Sequence, residues 1–389
     1  MLTIFCYNLY VNYIVTRSFI MKKRFLALTL AFAIVFTSLL SLFSCGEKYE
    51  PVESTKEEKA TVINISYEKE KYKVPYELYR AFFLQYKSVV DGGDETVWTG
   101  TDKERYEKAA DELIYQRIAE IYAVFHLCEK ADIDVYSNSF EKEIDKSIEA
   151  TIEADVNAGG FGGDYGKYLE SLKKMNHNYS SAKLMLRYHI ARQSLLEHYV
   201  GTLDTDDIDG DSKPGTITYT KEDVLAFYLD DNASRRIIEV KFPEHLTEKE
   251  AEQKRDALAA LAANPDKSLT DIIIYIANNT LTNPTSEVIG KFTYDTLYYA
   301  DLTKSAFAVD EGEVSELFAL KTTDFNGYEA VYRLPKDTDF FEESYEDIRD
   351  AYVLHKFGET VTQASLGISE VMTATDTLNE LDRSKVSMN

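Results

Sequence analysis

Apolar positions recur every three or four residues over most of this chain, and give way to alternation in one stretch near residue 320. From Tyr76 onward the text is helical, with Tyr79, Phe82, Phe83 and Tyr86 at helical spacing. The segment 103–130 predicts one long amphipathic helix, because Ile114, Ile118, Ile121, Phe125 and Cys128 fall on one continuous face. Further helices are predicted over Ser139–Ala154, Tyr168–Met175 and Ser180–Tyr199. The last carries Leu184, Tyr188, Ala191, Leu195 and Tyr199 along one side. The glycine-rich stretch 157–166 reads as a loop between helices.

The pattern then changes. Residues 201–218 are acidic, punctuated by Gly and Pro, and without apolar period, which predicts a linker. A short helix is expected from Thr220 to Leu229 and a strand from Arg235 to Phe242. Thr247-Glu248-Lys249-Glu250 is a capping box that opens a helix to about residue 263. A second helix follows over Leu269–Ile276, a strand or turn at Gly290-Lys291-Phe292, and a third helix over Asp301–Phe307. A tight Glu311-Gly312 turn leads into an alternating strand, an Asn326-Gly327 turn and a closing strand from Tyr328 to Leu334. Residues from Glu342 to about Leu381 read as helical again, with Ile348, Tyr352, Val361 and Val371 apolar.

The expected fold class is therefore α+β. A mostly helical domain at 61–200 is followed by the linker 201–218. An α+β domain occupies 219–335, with its compact part from 235, and a C-terminal helical segment spans 336–389. That last segment cannot bury its apolar positions alone, so it is expected to pack back onto the first helical domain.

The N-terminus bears on compartment. Met21-Lys22-Lys23-Arg24 precedes an apolar run to Phe43, and Leu42-Phe43-Ser44-Cys45 resembles a bacterial lipobox. Residues 21–44 are expected to be a cleaved lipoprotein signal, with lipid on the Cys45 thiol; an uncleaved anchor helix is the alternative. Residues 1–20 read as an upstream start ahead of Met21. The charged stretch 45–60 is expected to be a solvated tether. Of three cysteines, Cys6 precedes the expected start and Cys45 is the lipidation site. Cys128 alone remains, on an apolar stripe, so no intramolecular disulfide is expected. The 67 acidic against 43 basic residues give a net charge of −24, which argues against nucleic acid or an anionic membrane surface as the main partner.

Common site chemistries are weakly supported. Asp207, Asp209 and Gly210 suggest a calcium loop, but in that register the first and twelfth positions are Thr205 and Thr216 and Pro214 interrupts. Gly159-Gly160-Phe161-Gly162-Gly163 lacks the Lys-Ser/Thr ending of a phosphate loop. The six histidines show no metal-ligand spacing, and no Gly-x-Ser-x-Gly occurs. No metal or cofactor is expected.

The order of these features resembles the extracytoplasmic foldases of the SurA/PrsA group, over most of the chain after the signal. There a helical chaperone domain is combined with a parvulin-type peptidyl-prolyl isomerase domain. The stretches AADELIYQRIAEIYAVFHLCEKADIDV, YGKYLESLKKMNHNYSSAKLMLRYHIARQSLLEHYV and TYTKEDVLAFYLDDN look like successive parts of that layout. Arg235-Arg236-Ile237-Ile238-Glu239-Val240 looks like the first isomerase strand and Gly290-Lys291-Phe292 like the family's Gly-x-Phe. Ala306-Phe307 with Gly312-Glu313-Val314-Ser315 is the most specific match, and Gly327-Tyr328 begins the last strand.

The resemblance implies paired histidines, one on the first strand and one on the last. They fall here on Arg236 or Ile237 and on Glu329, and neither position is histidine. The family's Cys or Asp position falls near Asn279, and its apolar proline pocket on Tyr298 and Leu302. What the resemblance implies is a lipid-anchored extracytoplasmic chaperone. Its partners are unfolded or nascent secreted polypeptides, with the membrane reached through the lipid and no nucleic acid bound. Its parvulin-like domain is expected to be inactive. Two alternatives stay open: an active peptidyl-prolyl isomerase, and an envelope-assembly or solute-binding lipoprotein without clients.

Overall fold

Helices form where the apolar spacing is longest and the ends are capped. In a computed structural model of the chain, the described residues are 49–156, 159–201, 215–282, 300–321 and 325–388. Residues 1–48, with the upstream start, the signal and Cys45, lie outside them. The described residues divide into two units, one running to Thr216 and resuming from Phe357, the other Ile217–Lys356.

The first unit opens with a hairpin, β1 (Thr61–Tyr67) and β2 (Glu70–Pro75). Five helices follow: α1 (Tyr76–Asp91), α2 (Lys103–Lys130), α3 (Asn138–Glu153), α4 (Tyr165–Lys174) and α5 (Tyr179–Val200). The predicted face of α2 is the buried one: Ile114, Ile118, Ile121, Phe125 and Cys128 are all in the core. Cys128 is a free thiol, and burial pushes it up to about 12. Trp98 closes the turn after α1, its indole N–H donating to Asp91 at 2.7 Å.

The second unit begins with α6 (Lys221–Leu229), capped by Thr220, and continues with β3 (Ile237–Lys241). Next come α7 (Glu248–Ala262), opened by the predicted capping box at Thr247, and α8 (Leu269–Asn279), opened by another at Ser268. Helix α9 (Ala300–Ala308) precedes β4 (Phe318–Lys321) and β5 (Asn326–Arg333). The sheet is antiparallel in the order β3-β5-β4. Helices α10 (Thr338–Glu343) and α11 (Tyr345–Glu370) follow. Last come β6 (Met372–Ala374) and α12 (Asp376–Asn379), which belong to the first unit. The fold is α+β and mostly helical.

Several expectations need correction. Residues 49–60, expected as a solvated tether, lie against the helical unit. Tyr49 hydrogen-bonds Glu153, Ser54 donates to Glu77 at 2.5 Å, and Glu58 pairs with Arg80 at 2.8 Å. That unit is not purely helical either. Strand β1 pairs with β2 on one side and with β6 on the other, Ile63 facing Ala374. The terminal helix stops at Glu370 rather than near Leu381, because the next residues extend to join this sheet.

Asn326-Gly327 is not the hairpin turn. Both residues already belong to β5, Asn326 facing Lys321 and Gly327 facing Leu320. Gly327 packs closely on Phe325: a Cβ there would stand 2.9 Å from the tip of its ring. The Glu311-Gly312 turn is as predicted, with Gly312 at φ +82°, a conformation glycine adopts freely.

Candidate functional site

The sheet of the second unit has two faces, set by the alternation of side chains along each strand. Ile238, Val240, Phe242, Ala330 and Tyr332 pack beneath α7 and α8 through Ala251, Leu258, Ile272 and Ile276. Ile237 and Val331 face the other way and meet Leu302, Ala306 and Val309 at α9. Phe307 and Phe318 flank that second cluster.

Two of the predicted positions are brought together here. Ile237 is 2 % exposed and Leu302 fully buried in the same apolar cluster. Leu302 packs with Ile237, Ala306, Val309 and Val331 in this cluster. Tyr298, its predicted companion, lies outside the described residues, as does Gly290-Lys291-Phe292.

Glu329 is not brought to Ile237. The register places Glu329 opposite Lys241, while Ile237 faces Arg333. The two sites share a sheet face but stand four ladder positions apart, about 14 Å along the strand. Glu329 is completely buried, and Lys241 Nζ lies 3.7 Å from its Oε1 and 3.4 Å from Glu239 Oε2. Asn279 is separated further. It ends α8, which covers the opposite face of the sheet, and its side-chain amide donates to Tyr275 O at 2.9 Å.

The segment resembling Gly-Glu-Val-Ser runs beside the far end of β5. Gly312 N donates to Arg333 O at 2.9 Å, Ser315 N to Val331 O at 2.8 Å, and Val331 N returns a bond to Ser315 Oγ at 2.9 Å. On the outer edge of β3, Leu281 N donates to Lys241 O at 2.7 Å and Lys241 N to Thr282 Oγ1 at 2.9 Å.

Sequence reasoning missed the ionic cluster at the strand ends. Asp231 takes Arg333 at 2.7 Å, Lys336 at 2.9 Å and Arg235 at 3.0 Å. Burial opposes ionisation of Asp231, but hydrogen bonds and charge from Arg333 and Lys336 outweigh it and hold the carboxyl at about 2. Arg236, the other candidate for the first-strand histidine, pairs with Asp337 at 2.7 Å and covers the Phe340 ring at 3.7 Å. The signal was the density of cations at 235–236 and 333–336 flanking predicted strands. Among the described residues no group of His, Cys, Asp and Glu could hold a metal ion, and no helix is long and apolar enough to cross a membrane.

No family model and no curated protein matches the chain. Among solved structures it is similar to PrsA from Bacillus subtilis, at 15% identity and a TM-score of 0.23, over 69% of this chain and 87% of that one. It is similar to the foldase protein PrsA from Streptococcus pneumoniae at 12% identity and 0.29, over 72% and 93%. It is also similar to the foldase protein PrsA from Lactococcus lactis at 10% identity and 0.22, over 84% and 99%. These proteins carry the family name that the sequence resemblance gives.

Proposed function

We propose that this protein is a chaperone of the bacterial envelope that holds unfolded or partly folded secreted polypeptides, anchored by lipid on Cys45. Its parvulin-like unit serves as scaffold or client surface and does not catalyse proline isomerisation. The observation that carries this reading lies in the second unit. Its strand, paired helices, further helix and closing hairpin follow the order that the resemblance implies. The reading is further supported by the burial of Ile237 and Leu302 in one apolar cluster.

Catalysis of this rotation needs no covalent step, but it does need a site that takes the proline ring and weakens amide resonance. On this reading the cluster around Ile237 and Leu302 serves as core and takes no ring. A buried carboxyl group beside a lysine at Glu329 is a poor substitute for a pair of imidazoles, because it lacks their ring N–H donor and ring nitrogen acceptor. Holding a client asks less of geometry, since weak, adaptable contacts over a broad surface suffice.

The test is suppression of aggregation. Added in excess to a reduced, unfolded secreted protein, the chain should lower light scattering in proportion to its concentration. Scattering unchanged at every excess would overturn the reading.

A further inference from the structure

An open cleft of about 680 Å³ lies wholly within the first unit. Three separate segments form it: α1 with the turn after it, the end of α4, and the C-terminal stretch after Arg383. Its size falls in the range of ligand sites. Leu84, Val386 and Met388 supply apolar lining, with Val386 buried.

Four lysines converge on this cleft in a chain of net charge −24. Lys87 is committed internally, lying 3.3 Å from Asp91 and 3.0 Å from Glu95. Lys385 pairs with Asp382 at 2.8 Å. Lys173 and Lys174 are exposed and hold no ion pair among the described residues; Glu170 is the other acidic residue of the lining besides Glu95. The helix dipole favours lysines in the last turn of α4. It does not explain why Lys87 and Lys385 arrive at the same cleft from two other segments.

We infer that this cleft is a docking site for extended polypeptide segments that combine acidic and apolar side chains. The inference rests on the chaperone reading and names a client class for it. A strongly acidic protein repels acidic chains at long range, with the repulsion falling off over about 8 Å at physiological salt. A cationic cleft with apolar lining gives such chains one place to approach. There, carboxylates meet Lys173 and Lys174 while apolar side chains leave water against Leu84, Val386 and Met388. Charge sets the orientation and the encounter rate, and the apolar contact supplies most of the affinity.

The experiment is fluorescence anisotropy with short unstructured peptides of equal apolar content, one acidic and one basic, titrated with the whole protein. The acidic peptide should bind more tightly, and added salt should weaken it. The double variant Lys173→Glu/Lys174→Glu should lose about tenfold in affinity for it. A charge-matched control on α3, Lys142→Glu/Lys146→Glu, should lose far less. Equal binding of the two peptides, or equal loss in variant and control, would overturn the assignment. Aggregation suppression of a basic client, measured in parallel, separates the two ideas. If suppression persists without acidic preference, the cleft assignment fails alone; if both are absent, both fail.

Discussion

Glu329 lies directly across the β3–β5 ladder from Lys241, with 3.7 Å between Nζ and Oε1, while Ile237 faces Arg333 four positions away. This pairing determines what the last strand can do. The side chain at 329 is tied to the end of β3 and not to its beginning. Lys241→Met removes a cation beside a fully buried carboxylate, so it should destabilise the second unit by about 2–4 kcal/mol. Replacing both, Lys241→Met with Glu329→Met, should recover most of that loss, because an apolar pair avoids the desolvation of both charges. A double-mutant cycle in urea reads this coupling, and additive effects would contradict it.

Placing histidines at the family positions should not produce an isomerase. Ile237→His with Glu329→His leaves the rings at opposite ends of the ladder, one of them inside the cluster with Leu302. The expected result in a proline-limited peptide assay is a rate equal to background. The variant should also be less stable by about 1–3 kcal/mol, from burying an imidazole among aliphatic side chains. A clear rise in rate would show that the cluster opens and that the positions cooperate.

The first unit should weaken in mild acid. Burial depresses His177 to about 4, and burial together with Arg117 and Arg192 depresses His189 to about 4. In the unfolded chain both titrate near 6.5, so the fold favours their neutral forms. Their contribution is therefore fully present above pH 6.5 and is lost as pH falls toward 4. The urea midpoint of the wild type should drop across that window more steeply than that of a His177→Gln/His189→Gln variant. Parallel pH profiles would contradict the burial argument.

The C-terminal stretch should be needed for the stability of the first unit. Arg383 donates to Asp111 at 2.7 Å and to the Tyr79 hydroxyl at 3.1 Å, and Tyr79 donates to Asp111 at 2.6 Å. Arg383→Ala leaves a half-buried carboxylate and a buried phenol without their cation, at a cost of about 3 kcal/mol. Denaturation followed by tryptophan fluorescence reads the effect, since Trp98 is the chain's one tryptophan and lies in this unit.

Much of this was legible in the sequence where local pattern decides the outcome. Helix α2 spans the predicted residues, because one apolar face runs its whole length. Thr247 and Glu250 cap α7 as their spacing requires. What was not legible depends on partners far away in the chain. Met372–Ala374 is a strand only because β1 offers it an edge some three hundred residues earlier. Asn326-Gly327 has the composition of a turn, yet its pairing with Lys321 and Leu320 places it within the strand. The site suffered in the same way. Residue types at 237, 302 and 329 could be read off, but the register that separates 237 from 329 could not. The docking of residues 49–60 escaped because charged residues such as Glu58 look solvated until Arg80 and Asn178 are placed beside them.

Binding without catalysis is tested most directly by refolding one secreted client whose slow phase is limited by proline isomerisation, reading yield and rate together. With the protein in excess, the yield of native client should rise while the rate constant of the slow phase stays at its unassisted value. A slow phase accelerated in proportion to the protein's concentration, or a yield left unchanged, would contradict it.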